Sequence, residues 1–353
     1  MGINSVLLTV LGFVVGLALS FRSSTAYERY NDGRKYWAQL TLVSQSLARL
    51  IWVHADEREG DLGKADLLAK ISCLNLIVAY SVALKHKLRF EPHTDYPDLV
   101  HLVSHLNTLA TPGGPKHSKR KSPFKVAGEF LGVPMAESNP RKLIKNPSKP
   151  LGNLPLEILA HLSGYIKTIF DNGTFKVSIY QTQALNAVHT MNDVMAGTER
   201  VLNTPLPIAY SIAIGQITWV YILLLPFQLY IPLGWITIPG TIVAAYIILG
   251  IALIGREIEN PFGQDVNDLP LDTFCQHIRE DMDILMRTPG PNADWVESDQ
   301  NLLLWPLSHL GYQAWKEKGT EDLREALAMK PDLAVKNESN GPIASHTEVE
   351  GEV

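Results

Sequence analysis

Between Arg200 and Arg256 the chain runs for 55 residues without a single Asp, Glu, Lys or Arg. A water-facing fold has no use for so long an uncharged stretch, because its elements must present a polar face to solvent. Pro232 and Leu233 divide the stretch into two apolar blocks, 207–231 and 234–255. Each block has the roughly 20 residues a helix needs to cross about 30 Å of hydrocarbon. The stretch therefore reads as a membrane hairpin of two helices. Trp219, Tyr221, Tyr230, Trp235 and Tyr246 supply candidate interfacial anchors.

A further uncharged run, residues 1–21, ends at Arg22. A signal peptide would begin with a basic region, which this run lacks, and would not lead straight into more helix. Here the apolar spacing continues through Tyr27, Tyr30, Trp37, Leu40 and Val43. The expectation is a first span that continues without a break as a water-facing helix. The apolar stretch 71–84 is bounded by Lys70 and Lys85 and is too short to cross, so it reads as a core helix of the water-facing part. Basic residues flank the spans at Arg22, Arg29, Arg34, Lys35, Arg200 and Arg256, and none lies in the hairpin turn. All of them are cytoplasmic if the chain starts outside and crosses three times. That orientation leads to the expectation that a complete gene product has one more span before residue 1.

The remaining chain divides by composition. Residues 22–110 read as cytoplasmic helices, with Leu40, Val43, Leu47, Leu50 and Ile51 on one stripe. Residues 111–150 hold seven prolines and nine Lys/Arg and read as a flexible basic insert, with a lipid-binding polybasic patch as the sharper alternative. Residues 151–206 return to helix, 207–255 form the hairpin, and 256–330 hold an acidic turn and further helices. A disordered tail is expected over 331–353. A net charge of −5 speaks against nucleic acid as partner. Cys73 and Cys275 provide neither a disulfide framework nor a zinc spacing.

Catalytic signatures are missing: there is no phosphate-cradling glycine loop, nucleophile elbow or Ser/Cys–His arrangement. His101 and His105 have helical i, i+4 spacing but no third ligand at a matching interval. The spans carry no charged residue, so the usual mark of an ion-coupled carrier is also missing. Within the first span Phe13, Leu17 and Phe21 recur every four residues, beside the small stripe Gly12, Gly16 and Ser20. The bulky stripe either faces lipid or, with several copies around an axis, forms a hydrophobic constriction that gates by dewetting.

Three blocks of the chain resemble the bestrophin family, in particular its fungal and bacterial branch. They are Phe21-Arg22-Ser23-Ser24-Thr25-Ala26-Tyr27-Glu28-Arg29-Tyr30 with Gly33-Arg34-Lys35 and Trp37; Asn203-Thr204-Pro205-Leu206-Pro207; and Glu259-Asn260-Pro261-Phe262-Gly263 with Asp268-Leu269-Pro270-Leu271-Asp272. The resemblance implies an all-α membrane protein with a helical cytoplasmic domain, forming a homopentameric ion channel around one axial pore, and no enzyme. It implies that the first span lines the pore, with a neck at Phe13, Leu17 and Phe21 and a cytoplasmic aperture at Leu206. Chloride or another small anion is the expected permeant ion. The alternatives are a cation-selective channel of the same build and a non-conducting membrane scaffold. The plasma membrane is the expected location, with an organelle membrane as the alternative.

No cofactor is expected, with calcium as the alternative. Animal members of the family carry a calcium clasp, and Asp265 and Asp268 match two of its side-chain ligands. Glu257 and Asn260 match two of its carbonyl ligands, while Val266 and Asn267 dilute the charge. A further carbonyl comes from an N-terminal segment that the notional complete chain would supply.

Overall fold

The computed structural model describes residues 5–110, 152–288 and 293–339; the basic insert and the end of the tail lie outside them. Among the described residues there is no strand. They divide into two units, residues 1–288 and 289–353.

Helix α1 spans Ser5–His54, 50 residues in one piece. It contains no proline, so no backbone hydrogen bond is lost along its length. At 1.5 Å per residue it is about 75 Å long, far more than a bilayer core. The expected continuation of the first span into a water-facing helix is thus a single rod.

Helix α2, Asp61–Leu88, contains the apolar stretch between Lys70 and Lys85. By length and composition it joins the N-terminal part of α1 and the region Ala209–Glu257 as apolar enough to cross a membrane. Burial separates them: 67% of the most apolar window of α2 is buried inside the fold, against 17% for α1 and 6% for Ala209–Glu257. The flanking lysines are buried as well. Lys70 Nζ donates to Glu57 Oε1 at 3.0 Å, and Lys85 Nζ to Asp272 Oδ1 at 2.7 Å. Charges inside a fold are tolerated when paired in this way.

A short turn, α3 (Val100–Val103), is followed by α4 (Leu154–Asp171) and α5 (Ser178–Asn203). With α1, α2 and α8 (Leu271–Arg287) they enclose one core, in which Trp37, Tyr80, Phe175 and Phe262 are fully buried. Tyr80 sends its hydroxyl to the Met191 carbonyl at 2.6 Å, satisfying the one polar group it brings inside. On α4, Leu159, Leu162 and Ile166 are buried while Leu156 faces out.

The uncharged stretch forms α6 (Ile208–Leu233) and α7 (Thr237–Glu257), joined by a 3-10 turn at Gly234–Ile236. Gly234 has φ +56°, a left-handed conformation that costs glycine little, and it closes the hairpin. Trp235 stands 79% exposed at the tip, as an interfacial anchor would. The hairpin packs on the N-terminal part of α1 through Val15, Leu19 and Ile214, with Ile248 and Ala252 against them.

The second unit holds α9 (Tyr312–Lys316) and α10 (Thr320–Ser339), with Trp315 buried under the Lys318 ammonium, 4.3 Å from its ring. Helix α10 continues to Ser339, so the tail expected from residue 331 is helical for nine residues more. Glu321 and Asp322 sit in its first turn, where carboxylates favour the helix dipole.

Candidate functional site

The stripe Phe13, Leu17 and Phe21 is 72%, 62% and 53% exposed. At about 100° per residue these three lie within an arc of about 80°. Leu8, Val15, Leu19 and Ala26, all buried, occupy the opposite side of α1. The packing of the hairpin thus fixes which face of α1 is left open, and it is the face with the large apolar side chains.

The small-residue stripe beside it is not one packing surface within the chain. A Cβ on Gly12 would sit 3.0 Å from the Tyr221 hydroxyl, so that glycine admits α6. A Cβ on Gly16 would meet nothing within 4 Å, and Ser20 is exposed.

Where α1 leaves the apolar region, three charged side chains meet. Glu259 lies 3.7 Å from Arg22 and 4.0 Å from Arg29, all three mostly buried. Arg29 Nη2 also donates to the Val201 carbonyl at 2.7 Å, tying α1 to the end of α5. One turn further on, Gly33 leaves room for Phe262 and Leu269: a Cβ there would lie 3.0 Å from the Phe262 ring. The blocks around Arg22–Gly33, Val201–Pro207 and Glu259–Phe262, far apart in sequence, converge at this junction.

Leu206 lies at the same junction, half-buried, in a small cleft with Arg22, Thr25, Ala26, Arg29, Gly255 and Glu259. It packs on the Val15–Leu19–Ile214 cluster, behind α1 relative to the open stripe. Leu206, where the resemblance implied an aperture, keeps part of its surface open while packing on α1 and the hairpin. The exposed apolar side chains at the far end of α1 are others: Val53, and Val177 and Ile179 at the start of α5. They sit next to the stacked rings of His54 and Tyr180, 4.3 Å apart.

The acidic turn after α7 is closed by its own hydrogen bonds. Asp268 Oδ2 accepts the Asp265 backbone N–H at 2.8 Å, and Asn267 Nδ2 donates to Glu257 Oε1 at 2.8 Å. A Cβ on Gly263 would fall 2.3 Å from Asp268 Oδ2, so a side chain there would displace that carboxylate. Burial, with the Asp265 and Glu257 charges, raises the Asp268 carboxyl above its ordinary range, and the Arg89 guanidinium works against that. Asn260 lies beside the same glycine. Asp268 thus already accepts one N–H through Oδ2, and the Arg89 charge acts on the same carboxyl. Among the described residues no group of three or more His, Cys, Asp or Glu is arranged to hold a metal. His101 and His105 are exposed, and α3 is only four residues long, so the helical spacing that would pair them is not formed.

The profile of the family described as Bacterial/Fungal Bestrophin protein matches residues 1–284. The chain belongs to the bestrophin family. Among relatives of this bestrophin, a voltage-dependent anion channel-forming protein of Synechocystis is 36% identical over 281 residues, 79% of this chain and 77% of the relative. A protein of the same description from Nostoc is 35% identical over 277 residues, covering 77% and 74%. In fold, this bestrophin is similar to a bacterial bestrophin homologue from Klebsiella pneumoniae, with a TM-score of 0.60 at 22% identity over 82% of this chain and 90% of the other. It is an all-α integral membrane protein.

Proposed function

We propose that this bestrophin is a passive anion channel, a homopentamer in which five copies of α1 surround one axis with Phe13, Leu17 and Phe21 facing inward. The carrying observation is that these three large apolar side chains are left open on the face of α1 opposite its own packing. In a ring they make an apolar constriction, which passes an ion only when the passage is wetted or the ion is partly dehydrated. Nothing in such a neck binds or transforms a substrate, so transport is downhill. Phenylalanine ring edges are electropositive and favour an anion when turned to the axis. The names of the relatives from Synechocystis and Nostoc support the same choice of ion. Val53, Val177 and Ile179 are the side chains we assign to a second apolar narrowing at the cytoplasmic end. The basic flanks support an inside position for that end, and the plasma membrane is the proposed location.

The test is the reversal potential of purified protein in planar bilayers under a KCl gradient, with assembly mass measured on the same sample. A pentamer whose potential moves toward that of chloride is expected. A potential moving toward that of potassium overturns the anion reading. A pentamer without current, or a monomer, overturns the channel reading in favour of a membrane scaffold.

A further inference from the structure

Below the neck, α1 keeps the same open face, and the helix period says which residues occupy it. Glu28 follows Leu17 by 11 residues, about 20° from the same line. Lys35 follows Leu17 by 18 residues, and Arg49 follows Phe13 by 36, both whole numbers of turns. All three are exposed. Lys35 is paired with Asp32, Nζ to Oδ1 at 3.3 Å. Glu28 and Arg49 have no hydrogen-bond or ion-pair partner among the described residues.

Distance decides which of the two unpaired charges acts on an ion in the neck. Along the axis Glu28 lies about 10 Å below Phe21, and Arg49 about 42 Å. The Debye length at physiological salt is about 8 Å. Arg49 is therefore screened from the neck about five times over, whereas Glu28 stands at its inner mouth. Lys35, about 21 Å below Phe21, is both screened and neutralised by Asp32.

We infer that Glu28 limits the anion preference of the pore: five copies form an acidic ring under the apolar neck, concentrating cations and holding back anions. This rests on the pore reading of α1 and adds to it the residue that opposes the neck. A ring of carboxylates is a recognised means of favouring cations, and a narrow, low-dielectric mouth strengthens the field of each charge. The anion preference of this channel is thus a balance, and Glu28 is the side chain that limits it.

The experiment compares wild type with Glu28→Gln, Glu28→Lys and Leu17→Ala, each confirmed as wild-type-sized assemblies and recorded under a KCl gradient. Glu28→Gln is expected to raise the anion-to-cation permeability ratio about threefold or more, and Glu28→Lys to raise it further. The difference between wild type and Glu28→Gln should shrink as salt rises, since screening removes the field of the ring. An unchanged ratio in Glu28→Gln, with Leu17→Ala altering conductance, overturns the inference and leaves the neck standing. If Leu17→Ala changes nothing in a conducting channel, the pore reading itself falls and takes the inference with it. A Gln variant that does not assemble assigns Glu28 to structure, which overturns the inference too.

Discussion

Lys85 and Asp272 are 187 residues apart in the chain, yet Lys85 Nζ donates to Asp272 Oδ1 at 2.7 Å. Lys85 is buried in α2 and also binds Asp98, while Asp272 takes a second bond from Arg89 at 2.8 Å. Asp272 opens α8, directly after the acidic turn that reaches Arg22 and Arg29 through Glu259. The pair therefore clamps the helical core to the segment leaving the membrane hairpin. Asp272→Asn should lower the thermal midpoint of the detergent-solubilised protein, at a cost of about 1–3 kcal/mol, because the Lys85 charge stays buried with one carboxylate fewer. A midpoint equal to wild type would show that the pair does not hold these parts together.

The same pair predicts an acid limit. Burial by itself would push the Asp272 carboxyl up; the bonds from Lys85 and Arg89 outweigh it and hold the group at about 2. Its folded pKa lies below the ordinary carboxylate value of about 3.9, so its contribution is present above that value and lost as pH falls toward 2. Stability should fall between about pH 4 and pH 2, and Asp272→Asn should flatten the fall. A melting series across that range, on wild type and variant, checks both.

For the neck, Leu17→Ala and the triple replacement of Phe13, Leu17 and Phe21 by Ala should each raise single-channel conductance roughly twofold or more, because an apolar ring that is wider admits water more readily. Currents from the triple variant no larger than wild type would remove these residues from the pore.

Gly197 tests the seam between α1 and α5. A Cβ there would lie 2.3 Å from the Tyr36 ring, whose hydroxyl accepts a bond from Arg200 at 2.8 Å. Alanine in a helix interior is worth about 1 kcal/mol over glycine. The clash should outweigh that gain and leave Gly197→Ala destabilised by about 1–3 kcal/mol. Adding Tyr36→Ala should then cost less in the Gly197→Ala background than in wild type, and a fully additive pair would refute the contact.

Both cysteines should be unreactive in the folded protein. Burial raises the Cys275 thiol to about 12 and pushes the Cys73 thiol up as well, so neither forms thiolate near neutral pH. Maleimide should label neither until denaturant is added, then both. Labelling of native protein at pH 7 would show that the core opens.

Much of this bestrophin is written along one dimension. An uncharged run of 55 residues, a proline-free apolar start and a four-residue stripe are local facts. Hydrocarbon thickness and the helix period turn them into a hairpin, a long rod and an apolar face without knowledge of any neighbour. The stretch between Lys70 and Lys85 was also legible as core, since it is too short to cross. The sequence did not show that both lysines would go inside with it, because their partners Glu57 and Asp272 lie elsewhere in the chain. Nor could spacing show that Leu206 would pack against Val15, Leu19 and Ile214, or tell which small residues on α1 would meet Tyr221. Those outcomes belong to the tertiary structure, because burial and pairing depend on which surfaces meet, and a helix period says only which residues share a face.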